Sequence, residues 1–96
     1  MYMIKITVAP VGPLTAEQLQ DMCLDLGLTQ TMKGTLKTIG ANTHWHYKKG
    51  NEKGVLEITL HHSTTVIVLS VHENRQANWV LPVMRELKKR IERSNY

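Results

Sequence analysis

The stretch that decides the fold is VLEITLHHSTTVIVLSVH, residues 55–72. On either side of Ser63 and Thr64, apolar residues recur at every second position, which is typical of a half-buried β-strand. We therefore predict strands over residues 55–61 and 66–72, joined by a two-residue loop at Ser63-Thr64. The resulting apolar pairs are Leu60–Ile67, Ile58–Leu69 and Leu56–Val71. Because this register places all six side chains on one face, the other face, which carries Glu57, is left for polar groups.

Three further strands are predicted outward from this hairpin. Residues 2–8 alternate apolar and polar side chains, residues 34–39 form a weaker candidate after Met32, and residues 43–49 alternate histidines with aromatic residues. The segment 40–42 has the composition of a turn. Asn51-Glu52-Lys53-Gly54 predicts a second turn, with glycine where a positive φ is wanted.

Two amphipathic helices flank the strands. In the first, Thr15 is the expected N-cap and Gln18 completes a capping box, while Gly27 suits the left-handed residue after the helix. The second is predicted from about residue 78 to residue 93, with Asn78 as its cap and Pro82 in its first turn.

The predicted fold class is α+β, in the order strand, helix, four-strand meander, helix. Short connections favour antiparallel neighbours. We expect a single antiparallel sheet with both helices on one face and the other face open, in one domain spanning residues 1–96. The order of elements resembles the outline of helix-grip and TATA-binding-protein-like folds, and this likeness concerns element order alone.

Length and composition exclude several classes of protein. A chain of 96 residues with 42% hydrophobic and 21% charged residues is too short for a multidomain enzyme and too apolar for disorder. A single cysteine forms no internal disulfide, and no apolar run is long enough to span a membrane. We therefore expect a cytoplasmic protein without membrane contact.

The densest candidate site is Thr43-His44-Trp45-His46-Tyr47-Lys48-Lys49. His44 and His46 share a face of the strand, and His61 or His62 could add a third ligand from the next strand. Two registers are open. A four-residue loop sets Trp45 opposite Ile58 and turns the histidines outward, whereas a bulge at Gly54 reverses the faces. We favour the first, because burying Trp45 and Tyr47 removes more apolar area from water.

No acidic or cysteine ligand is expected to accompany the histidine pair. The expected state of these histidines is therefore solvated or singly hydrogen-bonded, and neither a metal nor another cofactor is predicted. Cys23 lies on the apolar stripe of the first helix, which is typical of an inert core thiol. No catalytic constellation stands out, so the protein is not expected to be an enzyme.

Basic charge is the second candidate feature. Residues 1–31 carry a net charge of −2 and residues 32–96 a net charge of +6. Lys88, Lys89 and Arg90 concentrate this charge on the last helix and could contact phosphates. The simpler interpretation is a solvated face, because Glu86 and Arg90 form an i, i+4 pair.

The third candidate is the segment that joins the last strand to the last helix. His72 ends the strand, and Arg75, Gln76 and Asn78 precede the helix N-terminus, where free backbone N–H groups attract anions. A capped turn with Trp79 folded over the edge of the core is the favoured structural interpretation.

These features predict a small binding or interaction module without catalytic activity. Its open sheet face and basic last helix would contact a protein, a second copy of the chain, or nucleic acid, with protein or homodimer contact placed first. The alternative is a histidine-based metal or small-ligand site. The candidate residues for these contacts are His44, His46, His61, His72, Arg75, Lys88, Lys89 and Arg90.

Overall fold

The central hairpin forms with the predicted register. A computed structural model describes residues 3–12, 14–36 and 42–93. In it the two halves of the hairpin are the strands β4 (Leu56–His61) and β5 (Val66–His72). Ile58 pairs with Leu69 and Leu60 with Ile67, which confirms the loop position deduced from the alternation of apolar residues.

The remaining elements complete a five-stranded antiparallel sheet with two helices. They are β1 (Met3–Val8), α1 (Ala16–Asp25), β2 (Thr29–Leu36), β3 (Asn42–Lys48), a 3-10 turn (Glu73–Arg75) and α2 (Val80–Glu92). The strand order is β1-β5-β4-β3-β2, so β2 to β5 form a meander and β1 pairs with its last strand. The predicted α+β class with one antiparallel sheet is confirmed.

The core lies between the helices and one face of the sheet. Apolar side chains from β3, β4 and β5 form a single buried cluster with the apolar stripes of both helices. α2 packs against β1 and β5, and α1 packs against α2. Both helices therefore cover the same face, and in the described part of the chain no helix lies on the face that carries Glu57, His44 and His46.

The register of β3 is the one that buries the aromatic residues. Trp45 pairs with Ile58 and Tyr47 with Leu56 across β3 and β4. Trp45 and Tyr47 are 0% and 2% exposed, and the Trp45 indole donates a 3.0 Å hydrogen bond to Gln20 Oε1 on α1. The favoured register is therefore confirmed, although the connection is longer than four residues because β3 ends at Lys48 and β4 begins at Leu56. The two histidines of β3 lie on the open face.

α1 begins and ends as its sequence indicates. The Thr15 hydroxyl accepts from the Gln18 backbone N–H, and the Gln18 side chain accepts from the Thr15 N–H, so both halves of the capping box are present. Gly27 follows the helix with a φ of +75°. The two capping-box bonds satisfy backbone N–H groups at the start of α1 that the helix cannot pair internally.

α2 begins later than predicted, and Asn78 is not its cap. The helix starts at Val80, and the N-cap position belongs to Trp79, whose side chain makes no capping bond. The Trp79 indole instead donates a 2.7 Å hydrogen bond to the Lys53 carbonyl, which holds the residue against the β3–β4 turn. Pro82 lies in the first turn, as expected. Within the described ranges, neither helix has the length and apolarity needed to cross a bilayer.

Two loop segments are held together where the open face ends. Gly54 has a φ of +105°, as the turn prediction requires, and a Cβ there would lie 2.7 Å from the Ala77 Cβ. The Val55 N–H donates a 3.0 Å hydrogen bond to the Arg75 carbonyl. The start of β4 and the 3-10 turn are thereby fixed next to each other.

The predicted bounds of β2, residues 34–39, were wrong. The strand begins at Thr29 rather than at Gly34, and its described side chains from Thr29 to Lys33 are exposed. An edge strand held mainly by backbone pairing with β3 needs no apolar alternation, so periodicity gave no signal for its first half. Tyr2, the predicted turn residues Gly40 and Ala41, and the predicted strand end at 37–39 lie outside the described residues, and Asn42 is the first residue of β3.

Candidate metal centre

Glu57 is a buried carboxylate in the middle of the open face. It belongs to β4, the central strand of the sheet, and is 7% exposed. Its neighbours Leu56 and Ile58 point into the core, so strand alternation directs Glu57 to the opposite face. A buried carboxylate needs charged or hydrogen-bonding partners to offset the loss of its hydration.

Three histidines surround this carboxylate. His44 Nε2 lies 3.2 Å and His46 Nε2 lies 3.6 Å from Glu57 Oε1. His72 Nε2 lies 3.1 Å from the other oxygen, Oε2. β3 therefore supplies two imidazoles to one carboxylate oxygen, and the end of β5 supplies a third imidazole to the other.

The distances among His44 Nε2, His46 Nε2 and Glu57 Oε1 match the distances between ligand atoms around a tetrahedral metal ion. His44 Nε2 and His46 Nε2 lie 3.2 Å apart, and both are close to Glu57 Oε1. All three atoms lie within 4.8 Å of one another. A tetrahedral zinc ion with bonds of about 2.0–2.1 Å holds its ligands about 3.3 Å apart. The spacing of the three atoms therefore fits such an ion.

Outer contacts hold two of these side chains in place. His44 Nδ1 forms a 2.7 Å hydrogen bond with Thr59 Oγ1. A hydroxyl donates or accepts, so this bond persists whether Nε2 carries a proton toward Glu57 or a lone pair toward a metal. The second oxygen of Glu57, Oε2, lies 3.1 Å from His72 Nε2. Metal ligands in proteins commonly have outer partners of these kinds.

The electrostatics of the cluster favour a neutral His46. Burial lowers the pKa of His46 below its usual value, and the charge of Glu57 opposes this shift. The neighbouring His44, Arg75 and His72 lower the pKa further. A neutral imidazole is the form that binds a metal ion.

A depression adjoins the centre on either side of Glu57. One, of about 330 Å³, is lined by His46, Glu57, His72, Asn74 and Arg75. The other, of about 260 Å³, lies toward β1 and includes His44, Glu57, Thr59 and His61 in its wall. The cluster is therefore reached from solvent through two shallow openings.

The structure brings some of the predicted site residues together and separates others. His44, His46 and His72 meet at Glu57, and Arg75 lines the adjoining depression. His61 lies on the same face, but its Nδ1 is 2.9 Å from the Asn42 amide nitrogen rather than at Glu57. Gln76 and Asn78, which were predicted to form an anion site together with Arg75, instead line a different depression beside α2. Arg85 also lines that depression.

The basic residues of α2 lie on the helix layer, across the sheet from the histidine cluster. Lys88 pairs with Glu92 at 2.9 Å and Arg90 with Glu86 at 3.1 Å. Lys89 is exposed. The pair of Arg90 with Glu86 is the one that the simpler interpretation of this helix expects, and the pair of Lys88 with Glu92 is a second of the same i, i+4 kind.

Sequence reasoning missed the carboxylate. The histidine pair was expected to have no acidic partner, whereas Glu57 reaches it from the neighbouring strand, β4. The signal was present in the favoured register, because pairing Trp45 with Ile58 sets His46 directly opposite Glu57. His72, two positions beyond the Ser70 that pairs with Glu57, follows from the register of β4 and β5.

No significant match to the chain was found among protein-family models, curated proteins or solved structures.

Proposed function

We propose that this protein is a binding module without catalytic activity whose open sheet face binds a divalent transition-metal ion. The ligands are His44 Nε2, His46 Nε2 and Glu57 Oε1. The observation that supports this most directly is the set of three mutual distances, 3.2, 3.2 and 3.6 Å, at a 7% exposed carboxylate. They are close to the about 3.3 Å expected between ligands of a tetrahedral ion.

The ligand types narrow the choice of metal. Two imidazoles and one carboxylate suit zinc, and the same set accepts cobalt and other late first-row ions. Calcium and magnesium prefer all-oxygen ligands, so they fit this centre poorly. Cys23, the single cysteine, is buried and does not belong to this cluster. A free thiol agrees with the proposed cytoplasmic setting.

Thermal unfolding of the metal-free protein with and without zinc tests the proposal. Because zinc binds the folded state, a concentration roughly 100 times Kd adds about 2.7 kcal/mol of stability and raises Tm. His44→Ala should abolish the rise. His62→Ala is the matched control, because His62 is exposed and its Nε2 contacts the Thr43 hydroxyl rather than Glu57. An unchanged Tm in the wild-type protein, or an equal rise in His44→Ala, would contradict the proposal.

Contact with a macromolecular partner is the second candidate function. The net charge of +6 over residues 32–96 and the exposed Lys89 support nucleic-acid binding, whereas the ion pairs of Lys88 and Arg90 weaken it. Fluorescence anisotropy with single- and double-stranded oligonucleotide probes should show binding at low salt. The affinity should fall as the salt concentration rises and when the charges of residues 88–90 are removed. A flat signal would exclude this candidate, and light scattering would test for a homodimer.

A further inference from the structure

The depression between Glu57 and Arg75 is the most distinctive feature next to the proposed metal. We propose that it binds a small oxyanion, a carboxylate or phosphate group, which completes the coordination of the metal and is held by the Arg75 guanidinium. This inference rests on the proposed metal binding. It adds the chemical class of the ligand that the metal centre takes.

Three protein ligands leave a tetrahedral ion one open position. Metal sites with three protein ligands characteristically take water or an exogenous ligand there, whereas closed structural sites have four protein ligands. His46 and Glu57 line both the proposed coordination sphere and the 330 Å³ depression. An oxygen atom bound at the open position on this side would therefore lie in the space that Arg75 also borders.

Arg75 is anchored at this place by its backbone. Its carbonyl accepts the 3.0 Å hydrogen bond from the Val55 N–H, two residues before Glu57. Gly54 contributes to the close approach, because the Arg75 carbonyl would lie 3.2 Å from a Cβ at that position. The base of the Arg75 side chain is thus tied to the strand that carries the carboxylate.

The charges around the depression favour an anion. Of the five residues that line it, Glu57 is the single acid, and its oxygens already face His44, His46 and His72. A divalent ion together with Arg75 would leave the depression with positive charge in excess. Glu73 is exposed in the same 3-10 turn but does not line this depression.

The donor groups indicate which anions fit. A guanidinium offers paired N–H donors that match the two oxygens of a carboxylate or phosphate. Asn74, beside Arg75, adds an amide that can donate to a further oxygen. The volume of about 330 Å³ suits a small anion or the charged end of a larger molecule.

Cobalt-loaded protein allows metal and anion binding to be measured separately. Cobalt(II) replaces zinc in such sites and its visible absorption reports the ligands around it. We would first record the spectrum on adding cobalt alone, and then titrate acetate and, separately, methyl phosphate. Each anion that binds should change the spectrum with a saturable dependence, and the tighter of the two identifies the favoured group.

Variants of Arg75 test its role. Arg75→Ala should still give a protein-bound cobalt spectrum, because the backbone carbonyl that holds Val55 remains, but its anion affinity should fall about tenfold or more. Arg75→Lys keeps the charge without the paired donors and should lie between the two. Arg85→Ala, which changes an exposed arginine of α2 that does not line this depression, is the matched control.

The outcomes separate the two proposals. A cobalt spectrum identical to that of free cobalt would overturn the proposed metal site and the anion site with it. A protein-bound cobalt spectrum that neither anion alters would overturn the anion site alone. Equal anion affinities in the wild-type protein and Arg75→Ala would overturn the assignment of Arg75.

Discussion

Glu57 and His46 lie directly opposite each other on β4 and β3, with Glu57 Oε1 3.6 Å from His46 Nε2. The same register sets Trp45 opposite Ile58 on the other face, inside the core. A shift of one residue would reverse both faces at once. The apolar contacts that stabilise the sheet therefore also set the histidine opposite the carboxylate.

Glu57→Gln should weaken zinc binding more than about a hundredfold while the protein stays folded. Loss of an outer partner of a metal site typically costs about 10–100-fold in affinity, and loss of a ligand costs more. Glutamine keeps the volume of the buried side chain but not its charge. Isothermal titration with zinc measures the affinity, and circular dichroism checks the fold.

Glu73→Gln is the control for that measurement. It removes the same charge from an exposed position in the nearby 3-10 turn and should leave zinc affinity almost unchanged. Equal affinities of Glu57→Gln and Glu73→Gln would show that the carboxylate of Glu57 is not a ligand.

His72 should act as a positioning residue for Glu57 rather than as a ligand. Its Nε2 lies 3.1 Å from Glu57 Oε2, the oxygen turned away from the β3 histidines. His72→Ala should lower cobalt affinity by about 10–100-fold yet keep a tetrahedral cobalt spectrum at saturation. His72→Gln, whose amide can still donate to Oε2, should recover part of the loss. A changed spectrum at saturation in both variants would instead make His72 a ligand.

The sequence predicts the central part of this fold because few arrangements bury its apolar residues. One register of β4 and β5 sets Leu60 opposite Ile67, and one register of β3 removes Trp45 and Tyr47 from water. In such strands the free energy of burial distinguishes correct from shifted pairing, so local patterns suffice.

Other features depend on contacts between distant residues and gave no local signal. The exposed side chains of β2 do not alternate, and the residue before α2, Trp79, bonds to the distant Lys53 carbonyl instead of capping the helix. The acidic ligand of the candidate centre belongs to this group. The position of Glu57 next to the histidines follows from the pairing of β3 with β4, and not from the pattern within either strand.

Cys23 should be inert toward thiol reagents in the folded protein at neutral pH. Its side chain is 0% exposed, and burial raises its pKa to about 12, although a hydrogen bond with Tyr47 opposes the shift. Reaction with Ellman's reagent should therefore require unfolding. Rapid labelling under native conditions at neutral pH would contradict this.

The same shift predicts a loss of stability at high pH. A thiol whose folded-state pKa lies above its unfolded-state value contributes stability that is complete below the unfolded-state pKa. For Cys23 this contribution should be lost as the pH rises from 9.0 toward about 12. Urea unfolding across that range should show a smaller pH dependence for Cys23→Ala than for the wild-type protein. Equal dependence in the two would contradict the predicted shift.

Gly54→Ala should destabilise the protein more than Gly50→Ala. Both glycines have positive φ, +105° at Gly54 and +55° at Gly50, so an added Cβ strains the backbone at each. Around Gly50 the space is open, whereas at Gly54 a Cβ would lie 2.7 Å from the Ala77 Cβ and 3.2 Å from the Arg75 carbonyl. We expect a loss of about 1 kcal/mol at Gly50 and about 2–4 kcal/mol at Gly54 in urea unfolding.

The two glycine variants also test whether the turn positions Arg75. If Gly54→Ala forces the Arg75 segment away from β4, the anion affinity of the cobalt-loaded protein should fall with its stability. Gly50→Ala should leave the anion affinity nearly unchanged despite its smaller loss of stability. Cobalt affinity should change little in either variant, because His44, His46 and Glu57 are held by the pairing of β3 with β4. Equal losses of stability in the two variants would show that the contact with Ala77 relaxes at little cost.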